Sequence, residues 1–157
     1  MKPLQTPDEK FMKLALNQAM RAAELDEVPV GAVIVKGQNV VSYGYNQRES
    51  SNNALAHAEI IAINSACQAL KTWRLLDCAI YVTMEPCPMC MGAILNARIS
   101  RLVFGCYDLK NGCCGSVADF KNFAFTHKKI AVFGGVMQQE AAALLSEFFK
   151  QKRNKKN

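Results

Sequence analysis

Apolar residues at the start of the chain recur at helical spacing, with Phe11, Leu14, Ala15, Ala22 and Leu25 on one stripe. Thr6-Pro7-Asp8-Glu9 precedes them as a capping box, so a helix is predicted to open there. The period then changes. Residues 28–35 and 40–45 are rich in β-branched and aromatic side chains, and Lys36-Gly37-Gln38-Asn39 between them predicts a hairpin. Ser50, Ser51, Asn52 and Asn53 supply turn and capping chemistry ahead of a helix over 54–70. A strand over 79–83 is ended by Pro86, and Pro88 suits the first position of a helix running to about residue 97. A strand over 102–104, a polar glycine-containing loop over 108–116 and a strand over 130–133 follow. The last helix carries Met137, Ala141, Leu144, Leu145, Phe148 and Phe149 at helical spacing. No repeat or internal linker interrupts this order. Strands separated by helices imply parallel crossovers, hence an α/β sheet with helices on both faces.

Length and charge narrow the class. At 157 residues and 50% hydrophobic, the chain fits one domain with a sizeable core, residues 1–149, followed by a basic tail over 150–157. The formal charge is +6, and Lys150, Lys152, Arg153, Lys155 and Lys156 leave only +1 for the rest. Such a run reads as a solvated helix end or as a nucleic-acid contact, and Phe148 and Phe149 beside it could equally stack on bases or complete the core. No apolar run approaches the length of a membrane span, and the first ten residues lack the apolar stretch of a signal peptide, so a cytoplasmic protein with no membrane partner is expected. Seven cysteines, an odd number, suit a reducing compartment better than a disulfide framework. Cys67, Cys78, Cys106, Cys113 and Cys114 read as small apolar fillers, with the Cys113-Cys114 pair a possible competitor for any nearby metal.

Two segments carry chemistry: His57-Ala58-Glu59 and Glu85-Pro86-Cys87-Pro88-Met89-Cys90. One imidazole and two thiolates, His57, Cys87 and Cys90, are the donor types that bind zinc tetrahedrally. Three protein ligands leave the fourth position to water, which zinc makes acidic enough to yield hydroxide near neutral pH. Glu59 is then the natural proton carrier. The H-x-E and P-C-x-x-C arrangement is the known signature of zinc-dependent nucleobase deaminases.

Taken with further segments, the chain resembles the bacterial tRNA-specific adenosine deaminase family of the cytidine-deaminase-like superfamily. The likeness runs through Val28-Pro29-Val30-Gly31-Ala32-Val33, His57-Ala58-Glu59-Ile60, residues 81–90, Arg98-Ile99 and Val103-Phe104-Gly105. It continues in Asp108-Leu109-Lys110-Asn111-Gly112, Gly115-Ser116 and Leu144-Leu145-Ser146-Glu147-Phe148-Phe149. The zinc motif identifies only the superfamily, whereas the 108–116 loop and the Leu-Leu-x-x-Phe-Phe end with its basic tail point to the tRNA branch. The resemblance implies a three-layer α/β/α fold with a five-stranded mixed sheet, one Zn2+ per chain, a homodimer, and conversion of the wobble adenosine of a tRNA anticodon stem-loop to inosine. It further implies that Asn46 hydrogen-bonds the base, that Val30 and Pro86 shape the pocket, and that Asp108, Phe149, Lys150 and Arg153 meet the RNA. Cys114 and Cys106 depart from the small residues usual at those positions.

On this reading hydroxide attacks C6 of adenine while Glu59 accepts the water proton and delivers it to the ring nitrogen and leaving ammonia. A free-base or nucleoside deaminase of the guanine or cytosine type would share every metal residue but has no need of a basic tail. A zinc-stabilised binding protein would give Glu59 no reason to sit beside an open metal position.

Overall fold

The computed structural model describes residues 4–123 and 129–157. The capping box forms: the Thr6 N–H donates to Glu9 Oε2 at 2.9 Å and the Glu9 N–H donates to Thr6 Oγ1 at 3.2 Å. It opens α1 (Pro7–Glu24). Leu25 is the C-cap rather than part of the stripe, and it is exposed. The hairpin comprises β1 (Gly31–Lys36) and β2 (Asn39–Tyr45), turning at Gly37 with φ +63°. β1 starts three residues later than its hydrophobicity predicts. Pro29 has no N–H to give a ladder, and the Val30 N–H closes a tight turn onto the Val28 carbonyl at 2.8 Å.

The second helix, α2 (Ala58–Leu70), likewise starts later than residue 54. Polar side chains hold residues 47–56 in turns instead. Asn53 Oδ1 accepts from the Leu55 N–H at 2.9 Å, and the Ser51 hydroxyl donates to the Gln47 carbonyl at 2.6 Å, local bonds that compete with helix. Then come β3 (Cys78–Met84), α3 (Pro88–Asn96), β4 (Arg101–Cys106), a short 3-10 turn at Phe120–Asn122, β5 (Ala131–Phe133) and α4 (Gln138–Lys155). α4 runs through most of the basic segment.

The five strands are ordered β2-β1-β3-β4-β5. β1 pairs antiparallel with both β2 and β3, whereas β3, β4 and β5 are parallel. The β2-α2-β3 crossover therefore joins strands of the same direction, as its helix requires, but skips over β1. Ala32, Ile34, Ile80, Val82, Leu102 and Phe104 face α2 and α3, while Val33, Val35, Tyr81 and Val103 face α1 and α4. The result is the three-layer mixed-sheet architecture. Gly44 matters to the site: a Cβ there would collide with the Ala58 carbonyl, so its absence lets the first turn of α2 rest on the backbone of β2.

Candidate metal centre and active site

His57 is the N-cap of α2 and Cys87 the N-cap of α3, with extended backbone at both, so each ligand sits where a loop turns into a helix. Cys90 lies on the first turn of α3 and is fully buried. The helices pack side by side on one face of the sheet. That brings His57 Nδ1 to 3.6 Å from Cys87 Sγ and 3.4 Å from Cys90 Sγ. A tetrahedral ion with bonds of about 2.3 Å to sulfur and about 2.0 Å to nitrogen requires nitrogen and sulfur to stand about 3.5 Å apart. The donor set and its spacing therefore fit zinc, and these three residues are the cluster capable of holding a metal among the described residues. Both thiol donors lie at the N-terminus of α3, where backbone N–H groups favour negative charge.

The three groups are also within hydrogen-bonding reach of one another. Donation from Cys90 to Cys87 lowers the Cys87 thiol to about 4. The same bond, with burial and the nearby Glu59 carboxylate, drives the Cys90 thiol upward. The hydrogen bond to Cys87 raises His57. Metal binding takes deprotonated thiols and a neutral imidazole, so uptake of the ion releases protons.

Glu59, in the first turn of α2, is only 4% exposed, and burial raises its carboxyl above the ordinary 4.5. A carboxyl moved toward neutrality is suited to take a proton and hand it on. It opens, with His57 and Cys87, onto a cavity of about 430 Å³, a size that accommodates a small organic ligand. Val30, Asn46, Asp108 and Phe149 line the same cavity. The Asn46 N–H donates to the Val30 carbonyl at 3.1 Å and its Nδ2 to the Val28 carbonyl at 3.3 Å. Its Oδ1 is buried with no partner, an acceptor that a bound molecule can satisfy.

Pro86 is buried but, unlike its neighbours Glu85 and Cys87, does not line the cavity, and its carbonyl accepts from the Cys113 N–H at 2.9 Å. Lys150 and Arg153 are exposed on α4, away from the cavity lining. Of the two terminal aromatics, Phe148 is 9% exposed and belongs with the core, whereas Phe149 is 44% exposed and reaches the cavity. Arg48, Glu85 and Asn111 also line it, and sequence reasoning missed all three. Arg48 and Asn111 stand in polar turns, where nothing in the local pattern separates a wall residue from a solvated one. All seven cysteines are free thiols. Cys113 and Cys114 do not join the ligand cluster: Cys113 Sγ meets the Asn111 carbonyl and Cys114 Sγ meets Met91 Sδ. No helix among the described residues is long and apolar enough to cross a membrane.

The MafB19-like deaminase family model matches residues 6–153. The tRNA-specific adenosine deaminase of Bacillus subtilis (strain 168) is 42% identical over 151 residues, covering 96% of this chain and 94% of that protein. A solved structure from studies of A-to-I editing by tRNA:A34 deaminases superposes with a TM-score of 0.84 at 43% identity, covering 87% of this chain and 99% of the other. A guanine deaminase from Bacillus subtilis is 40% identical, but it covers 63% of this chain and 64% of its own, with a TM-score of 0.61. Because the likeness to the Bacillus subtilis tRNA-specific adenosine deaminase and to the tRNA:A34 deaminase structure spreads over most of both chains, the protein belongs to the family of tRNA-specific adenosine deaminases.

Proposed function

We propose that the protein is a cytoplasmic, homodimeric enzyme that hydrolytically deaminates the wobble adenosine of a tRNA anticodon stem-loop to inosine, with one zinc per chain. The observation that carries the reading is a single cavity bringing together the His57 and Cys87 donors, the buried Glu59 and the unpartnered Asn46 oxygen.

His57, Cys87 and Cys90 would hold zinc, and the ion when bound would supply the activation of water to hydroxide near neutral pH. Glu59 takes the proton from that water and holds it inside a buried pocket. Glu59 passes that proton to the ring nitrogen as a C–O bond forms at C6 of the base, then takes the remaining proton from the new C6 hydroxyl and gives it to the amine, so that the C6–N6 bond breaks and ammonia leaves. Asn46 Oδ1 accepts a hydrogen bond from the substrate nucleoside, Val30 shapes the pocket directly, Pro86 does so only through its neighbours Glu85 and Cys87, and Phe149 offers a ring to the cavity. A base within a stack cannot enter such a pocket, so a loop nucleotide that splays out at modest cost is the fitting substrate. Incubating the zinc-loaded protein with guanine, cytidine and an anticodon-loop RNA tests the assignment. Ammonia and inosine should come from the RNA alone; ammonia from guanine or cytidine would make it a free-base or nucleoside deaminase.

The C-terminal cations should neutralise phosphates. Lys152 already pairs with Asp26 at 2.6 Å, whereas Lys150 and Arg153 are exposed. Removing residues 150–157 is expected to flatten the dependence of log affinity on log salt by about 0.7 per lost single-strand phosphate contact. An unchanged slope in filter-binding titrations would reduce the segment to a solvated helix end.

Asp108 has two roles to separate. Its Oδ1 accepts from the Lys110 and Asn111 N–H groups at 3.0 and 3.1 Å, capping the turn. Its charge beside a polyanion is unfavourable unless it accepts a hydrogen bond, and the ribose 2′-OH is a donor that DNA lacks. Asp108→Asn keeps the capping acceptor and removes the charge. We expect the RNA-to-DNA ratio of kcat/KM to narrow, measured on matched ribose and deoxyribose hairpins. If both rates fall together at a constant ratio, the turn cap is the whole role.

A further inference from the structure

Glu85 stands between the metal half-site and the loop at the far wall of the cavity, and the deamination chemistry makes no use of it. It follows β3 directly, is 2% exposed and lines the cavity, and its N–H donates to the Cys106 carbonyl at 2.8 Å. Oε1 accepts from the Ser116 hydroxyl at 2.6 Å, a short charge-assisted bond. Oε2 is buried without a hydrogen-bond partner and fills the space that a side chain at residue 112 would need: a Cβ on Gly112 would strike Oε2 and Cδ. One carboxylate thus reaches two points of the loop, Gly112 and Ser116. Gly112 in turn is bonded through its N–H to the Asp108 carbonyl at 2.9 Å and through its own carbonyl to the Val117 N–H at 2.9 Å. The next residue donates from Cys113 N–H to the Pro86 carbonyl, beside Cys87. The backbone that carries Asp108 and Asn111 is thereby tied to the segment that carries the ligands.

We propose that Glu85 is a positioning residue: gripping the 108–116 loop through Ser116 and Gly112, it fixes the Asp108–Asn111 wall against the ligand segment and so sets how tightly the RNA substrate is held. This rests on the function proposed above for the substrate, and on geometry alone for the brace. The carboxylate does not touch the reacting atoms. Its loss therefore acts on KM before kcat, because the ligands and Glu59 are held by α2 and α3 themselves.

The test uses the zinc-loaded protein and Ser116→Ala, which removes the short bond without altering β3. Amide hydrogen exchange over 108–116 should speed up, and KM for an anticodon hairpin should rise about tenfold, the scale of one hydrogen bond to a charged group. The zinc content should stay at one and kcat within about twofold of the parent. Glu85→Gln retains an oxygen for Ser116 and should keep KM within about threefold of the parent, whereas Gly112→Ala should reproduce the Ser116→Ala pattern. Unchanged exchange and KM in Ser116→Ala would overturn the proposal, as would a fall in kcat with KM unaltered. A parent protein that produces no inosine from the hairpin would overturn the substrate reading instead, and the exchange rates would then decide the brace by themselves.

Discussion

Glu59→Gln is expected to keep one zinc per chain and to lower kcat by about 10²–10⁴-fold, the usual contribution of a positioned general acid–base. The amide keeps the shape and burial of the carboxylate but cannot carry the proton from water to the leaving group. Elemental analysis and single-turnover inosine formation on an anticodon hairpin measure the two halves. Loss of zinc in this variant would reassign Glu59 as a ligand. Stability should move the other way. Burial raises the Glu59 carboxyl above 4.5 in the chelator-stripped protein, so the folded state holds its proton more tightly than the unfolded chain does. Its contribution to stability then falls as pH rises from 4.5 through the raised value. Glu59→Gln has no such slope. In chelator the variant should be more resistant to urea than the parent at pH 7, with the difference vanishing below pH 4.5.

Cys87→Ala is expected to lose metal, activity and zinc-dependent stability together. His57 Nδ1 and Cys90 Sγ, 3.4 Å apart, would remain as a two-donor site, and a zinc site of this type needs three protein ligands to hold its ion. Parent protein in a thousandfold excess of free zinc over Kd should gain about 4 kcal/mol, read as a rise in Tm on titration. The variant's Tm should not respond. Retention of one tightly bound zinc in Cys87→Ala would mean that another donor completes the site, and the buried thiol of Cys113, on the loop tied to Pro86, would be the first to examine.

The local chemistry of the site was legible because it depends on donor type and short spacing. Cys87 and Cys90 are three residues apart beside a proline that starts a helix, and that alone puts both at an N-terminal turn. The capping box at Thr6 and Glu9, the hairpin and all four long helices were equally visible, since periodicity and turn residues act over a few positions. Errors fell at boundaries where side chains compete with the backbone. Asn53 and Ser51 held residues 47–56 in turns, so α2 began at Ala58 and His57 became its N-cap.

Sequence by itself determined which residues can bind zinc, which carboxylate can move a proton, and the order of helices and strands. Tertiary structure decided which of them meet. His57 and Cys87 are thirty residues apart in the chain, and they converge because β3 pairs antiparallel with β1 while α2 and α3 share one face of the sheet. A β1–β3 pairing that skips β2 is a long-range choice, made by the burial of two sheet faces at once, and no local period encodes it. The same holds for the unpartnered oxygen of Asn46, the division of Phe148 from Phe149, and the grip of Glu85 on Gly112 and Ser116. Each depends on what the rest of the fold places beside a side chain, and hydrogen bonding and exclusion of volume settle that only once the layers have closed.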